Sequence, residues 1–189
     1  KLSSKMQDAK EKIDYASKNE GKLDSDVNET ELRKTLMTMF MQNLVQDRMA
    51  KLRKKIMKKV EDGILVKDAT GNFTEESMKE AFESISDYEK FMAAACVDLS
   101  MTYIGGYEKG LYGVQLLAGL LSADGFIINL RTGEGKTEFA SVALTIASLT
   151  GLKVFAETSN VNLARKDHFI RKKIFDFMGI RSDLFAPEE

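Results

Sequence analysis

Gly125-Phe126-Ile127-Ile128-Asn129-Leu130-Arg131-Thr132-Gly133-Glu134-Gly135-Lys136-Thr137 is the stretch on which the reading of this chain turns. Phe126 to Leu130 is a short apolar run rich in β-branched residues, as in a strand, and a helical pattern follows from Thr137 to Leu149. In the loop between them, glycine lets backbone N–H groups turn inward around an anion, and the following helix adds the positive end of its dipole. Lys136 then reaches the β- and γ-phosphates of a nucleotide as a point charge, and the Thr137 hydroxyl ligates Mg²⁺ shared with the phosphate oxygens. Strand, glycines, lysine, threonine and helix stand in the order that phosphate binding demands.

Working outward, a second apolar run, Lys153 to Thr158, precedes another helical pattern, Asn162 to Met178. This β-α-β-α order implies parallel strands joined by right-handed crossovers, with ligands beyond the carboxyl ends of the strands. The expected fold is therefore α/β, a partial P-loop NTPase parallel sheet on the C-terminal side preceded by an all-helical region. The boundary is expected near residue 103, between a helical region 1–103 and a nucleotide-binding region 104–189. Gln115 stands upstream of the loop in Tyr112-Gly113-Val114-Gln115. Its amide offers a donor and an acceptor, the two functions needed to read N6 and N7 of adenine, which favours ATP.

Composition bounds these readings. The 189 residues carry 28 basic and 29 acidic side chains, a net charge of −1, with 43% hydrophobic and 30% charged residues. That balance excludes a polycationic tail and a disordered chain. No apolar run reaches the roughly 18 residues of a membrane span, and the N-terminal KLSSKMQDAK has no apolar signal-peptide core. The chain starts with Lys and is expected to be a piece of something longer. Cys96, the single cysteine, lies in an apolar run and reads as a buried thiol of a reducing compartment.

Before residue 100 the signals are helical. Asn28-Glu29-Thr30-Glu31 reads as a capping box opening a helix that ends at Gly63, with Leu32, Leu36, Phe40, Leu44, Met49, Leu52, Ile56 and Val60 as its apolar stripe. Its polar face, with Lys51, Arg53, Lys54, Lys55, Lys58 and Lys59, reads as solvated, and Met37, Met39, Met41, Met49 and Met57 as packing residues. Thr70-Gly71-Asn72 marks a turn or short hairpin, Thr74 caps a further helix, and Ser86-Asp87-Tyr88-Glu89 is a second capping box for a helix running to about Tyr103. Asp68 to Lys79 is not a calcium loop, because Phe73 and Lys79 stand where Gly and Glu are required. His168 has no partner at metal-ligand spacing.

GLYGVQLLAGLL followed by GFIINLRTGEGKT resembles the start of the motor domain of the SecA preprotein translocase ATPase family. SNVNLARKD, from Ser159 to Asp167, and Phe177-Met178-Gly179-Ile180 are similar to the segments that follow there. The resemblance implies a RecA-like nucleotide-binding fold, with Gln115 on adenine, Gly133, Glu134, Gly135, Lys136 and Thr137 around the phosphates, and Thr137 on Mg²⁺. ATP and Mg²⁺ are the implied cofactors, a polypeptide and a translocon the implied partners, and the cytoplasm, peripheral to a membrane, the implied place. Gly113 and Asn160-Val161-Asn162 depart from the family's acidic and aromatic residues, and no Asp-Glu-Ala run follows Thr137. The chain therefore offers no catalytic acid of its own, and ATPase activity is expected only as part of a longer protein. A non-catalytic interaction scaffold is the alternative. An RNA helicase fragment ranks below both, because the basic residues lack aromatic interleaving, so no nucleic-acid partner is expected.

Overall fold

The computed structural model describes residues 7, 11, 29–131, 135–158 and 160–185. These form α1 (Glu29–Gly63), α2 (Glu75–Glu83), α3 (Asp87–Ser100), a π-helical turn (Met101–Gly105), α4 (Gly113–Ala123), α5 (Lys136–Ser148) and α6 (Val161–Met178). The chain divides into two units, Lys1–Leu44 and Val45–Glu189. In the first, Met37, Phe40 and Leu44 of α1 are exposed. Asn28 of the expected capping box lies outside the described residues.

In the second unit the stripe continues with Val45, Met49, Leu52, Ile56 and Val60, all buried. This half of α1 is tied to α3 through Glu89, whose carboxylate receives Lys55 Nζ at 2.9 Å and Lys59 Nζ at 3.6 Å. Glu89 also closes the capping box of α3, accepting the Ser86 N–H and hydroxyl at 2.9 Å each. These donors hold its carboxyl at about 2, although burial alone pushes the other way. Gln46 donates to the Asp176 carbonyl at the end of α6, and Met57 packs on Gly151, fastening α1 to the C-terminal half of the unit.

Between α1 and α2, Lys67 and Phe73 form a single antiparallel bridge around a turn organised by Asp68, whose Oδ1 accepts the Thr70 N–H and hydroxyl and the Asn72 N–H. Thr74 caps α2 by accepting the Ser77 N–H at 3.2 Å. α3 packs against α4, α5 and α6 and is the centre of the unit. Rather than running on to Tyr103 as an α-helix, it widens at Met101 into the π turn, which Gly106 ends at φ 81°. Cys96 is buried in α3 and its thiol is pushed up to about 11 by that burial, so it is a core group rather than a nucleophile. Asp98 accepts the Leu111 N–H at 2.6 Å and sets the entry to α4.

The parallel sheet expected on the C-terminal side is not what the described residues form. No strand occurs among them, and the runs Phe126 to Leu130 and Lys153 to Thr158 lie outside regular structure, with no ladder between them. Apolar and β-branched residues favour extended backbone, but a strand exists only through hydrogen bonds to a neighbour, and a pattern within one segment does not supply them. Ile127 is 100% exposed and Phe155 78%, where strands were expected. The helices on either side do form, α5 beginning one residue before the expected Thr137 and α6 one before Asn162.

Candidate functional site

Two helix starts meet here. α4 opens at Tyr112, whose N–H donates to Gln115 Oε1 at 2.9 Å, so the Gln115 amide caps its own helix. That amide is buried, 5% exposed, and its Nε2 lies against Gly135, the N-cap of α5. Gly135 sits at φ 77° and ψ 52°, and a Cβ there would fall on Gln115 Nε2 and come within 2.8 Å of Glu138 Oε2. Only glycine fits this position. Farther along, a Cβ on Gly119 would lie 2.5 Å from Val142 Cβ and 2.9 Å from the Phe139 carbonyl, so the backbones of α4 and α5 nearly touch.

The first turn of α5 is held from two sides. Glu138 Oε1 accepts the Tyr107 hydroxyl at 2.7 Å, and burial, that bond and the carboxylate's charge together push the phenol up to about 12. On the other side, the Thr137 hydroxyl donates to Asp167 Oδ1 at 3.4 Å, Arg171 Nη2 donates to Asp167 Oδ2 at 3.4 Å, and Arg171 Nε donates to the Thr137 carbonyl at 3.3 Å. Burial lowers the Arg171 guanidinium from its usual value, partly offset by the negative charges of Asp167 and Glu138. Lys136 is exposed, and its ammonium makes no hydrogen bond or ion pair with the described residues.

Of the residues expected at the site, Gln115, Gly135, Lys136 and Thr137 come together at the head of α5, whereas Gly133 and Glu134 lie outside the described residues. Gln115 is turned toward Gly135 and the α4 cap. Sequence reasoning assigned no role to Tyr107, Glu138, Asp167 or Arg171. One signal was available: Asp167 and Arg171 stand one helical turn apart, the spacing of an ion pair on one face. Asn160 begins that helix by accepting the Asn162 and Leu163 N–H groups at 2.8 and 3.2 Å, so the run that departs from the family pattern serves as a cap. Among the described residues no group of three His, Cys, Asp or Glu side chains is placed to hold a metal, and no helix is long and apolar enough to cross a membrane.

The SecA DEAD-like domain family model matches residues 5–188. Protein translocase subunit SecA 2 of Geobacillus thermodenitrificans is 29% identical over 160 residues, covering 85% of this chain and 18% of that protein. Protein translocase subunit SecA of Stutzerimonas stutzeri is 26% identical over 166 residues, 88% of this chain and 17% of the relative. The SecA of Rickettsia akari reaches 42% identity over 69 residues, 36% of this chain and 8% of the relative. The chain thus spans less than a fifth of the length of these relatives. No solved structure matches it.

Proposed function

Because the chain belongs to the SecA DEAD-like domain family, we propose that it binds Mg-ATP at the head of α5 as the nucleotide-binding portion of a protein-translocating ATPase. The observation that carries this is Gly135, left-handed and with the space for a Cβ taken by the buried Gln115 amide, capping the helix that opens with Lys136 and Thr137. Such a position keeps backbone N–H groups and an uncommitted ammonium available to an anion. The donor set suits the phosphate end of the group, Lys136 for the phosphates and the hard hydroxyl oxygen of Thr137 for Mg²⁺, whereas the Gln115 amide, which caps α4 and packs on Gly135, would read adenine only by turning out of those contacts. When bound, Mg²⁺ neutralises phosphate charge. This chain's own residues bind and orient: Lys136 places the phosphates, Gly135 lets the backbone approach them, and Glu138 with Tyr107 keeps the first turn of α5 in place.

Relatives named as protein translocase subunits support a polypeptide as the cargo. Titration with ATP and Mg²⁺ by calorimetry, with GTP as the base control, tests the site. ATP is expected to bind in preference to GTP, and Lys136→Ala to weaken ATP by about ten- to a hundredfold, the worth of a charge-assisted contact. Equal affinity in that variant would refute the proposal.

A further inference from the structure

Asp167 and Arg171 bind nothing in the nucleotide reading, yet together they grip Thr137 at both its oxygens. A threonine hydroxyl has one proton and two lone pairs, so it can face a cation with its oxygen only if the proton points elsewhere. Asp167 Oδ1 receives that proton here, from a helix 30 residues farther along the chain. Its other oxygen is engaged by Arg171, and the two side chains are 16% and 13% exposed, so the acceptor is fixed rather than a freely rotating surface carboxylate. Arg171 also donates to the Thr137 carbonyl, which ties the first turn of α5 to the same guanidinium. The carboxylate of Glu138, in the same turn of α5, accepts from Tyr107.

We propose that Asp167 is a positioning residue for the cation: it accepts the Thr137 proton and so aims the Thr137 lone pairs at Mg²⁺, with Arg171 holding Asp167 in register. This rests on the nucleotide reading above and adds to it the group that orients the metal-facing oxygen. It acts through Thr137, so it governs how much Mg²⁺ strengthens ATP binding and leaves metal-free binding alone.

The test is calorimetric titration of the chain with ATP, once with excess Mg²⁺ and once with EDTA, for the wild type, Asp167→Ala and Asp167→Asn. Asp167→Ala is expected to lose about ten- to a hundredfold of the Mg²⁺-dependent gain, the usual size for a group orienting a metal ligand, with the EDTA affinity unchanged. Asp167→Asn keeps an acceptor oxygen and is expected to recover most of the gain. In a Thr137→Val background, Asp167→Ala should change the Mg²⁺ effect no further. A full Mg²⁺ gain in Asp167→Ala, or an equal loss with and without Mg²⁺, overturns the proposal, the latter marking a purely structural role. Should Asp167→Ala not fold, Asp167→Leu/Arg171→Met replaces the pair with apolar groups of similar bulk, a change that is often neutral for stability, and the same outcomes decide. A wild type that binds no ATP in either condition overturns the nucleotide reading and this inference with it. Wild-type binding with an intact Mg²⁺ effect in Asp167→Ala overturns this inference alone.

Discussion

α2 and α3 are held at their starts by residues three positions apart, Thr74 with Ser77 and Ser86 with Glu89. The first turn of α5 is held by groups 30 to 34 positions away, Tyr107 on Glu138, Asp167 on Thr137, and Arg171 on the Thr137 carbonyl. The difference is one of reach. A helix start closed by its own neighbours forms wherever its sequence is placed, whereas one closed by distant side chains forms correctly only once the surrounding helices are docked. Damage should therefore stay local in the first region and spread in the second.

The strongest way to break this contrast is Gly135→Val. It places a β-branched residue at φ 77° and drives its Cβ into the Gln115 amide, so a loss of about 3 kcal/mol or more is expected in urea unfolding. Amide chemical shifts should move at Tyr112 and Leu116 in α4 as well as in α5, and a disturbance confined to α5 would contradict the shared helix start. Next in size is Glu89→Gln, which removes the charge receiving Lys55, Lys59 and Ser86 and should cost about 2 kcal/mol near pH 7. The Glu89 carboxyl is lowered when folded, so its contribution is complete above its ordinary value of 4.5 and disappears as pH falls toward about 2. Wild type and Glu89→Gln should accordingly converge in stability over that interval, and a pH-independent gap would argue against the carboxylate. The smallest change sharpens the local side. Thr74→Ala is expected to cost about 1 kcal/mol, the worth of an N-cap, with hydrogen exchange faster only in the first turn of α2.

The same difference in reach explains what could be read from the residues alone. Thr74, Ser86 and Glu89 announce their caps because the partner lies within one turn, and the structure places α2 and α3 where those signals put them. Gln115 and Gly135 were read as parts of one nucleotide site, on adenine and on the phosphates; in the structure the buried amide faces the glycine and its own helix cap. The runs at Phe126 and Lys153 misled because extended propensity is a property of a segment, while a sheet is a property of pairs. Along α1, the expected stripe used Leu44, but burial passes to Val45, which stands four residues before Met49 and keeps the helical period. Asp167 and Arg171 escaped notice because their partner Thr137 is remote in the chain and nothing in their own segment points to it.

Gly119 gives the α4–α5 pair a mechanical character. With less than a methyl group's clearance between the Gly119 backbone and Val142, the two helices cannot slide or roll past each other without collision. That close approach lies between the shared helix start at Gly135 and the far end of α4, where Lys90 of α3 is paired with Asp124.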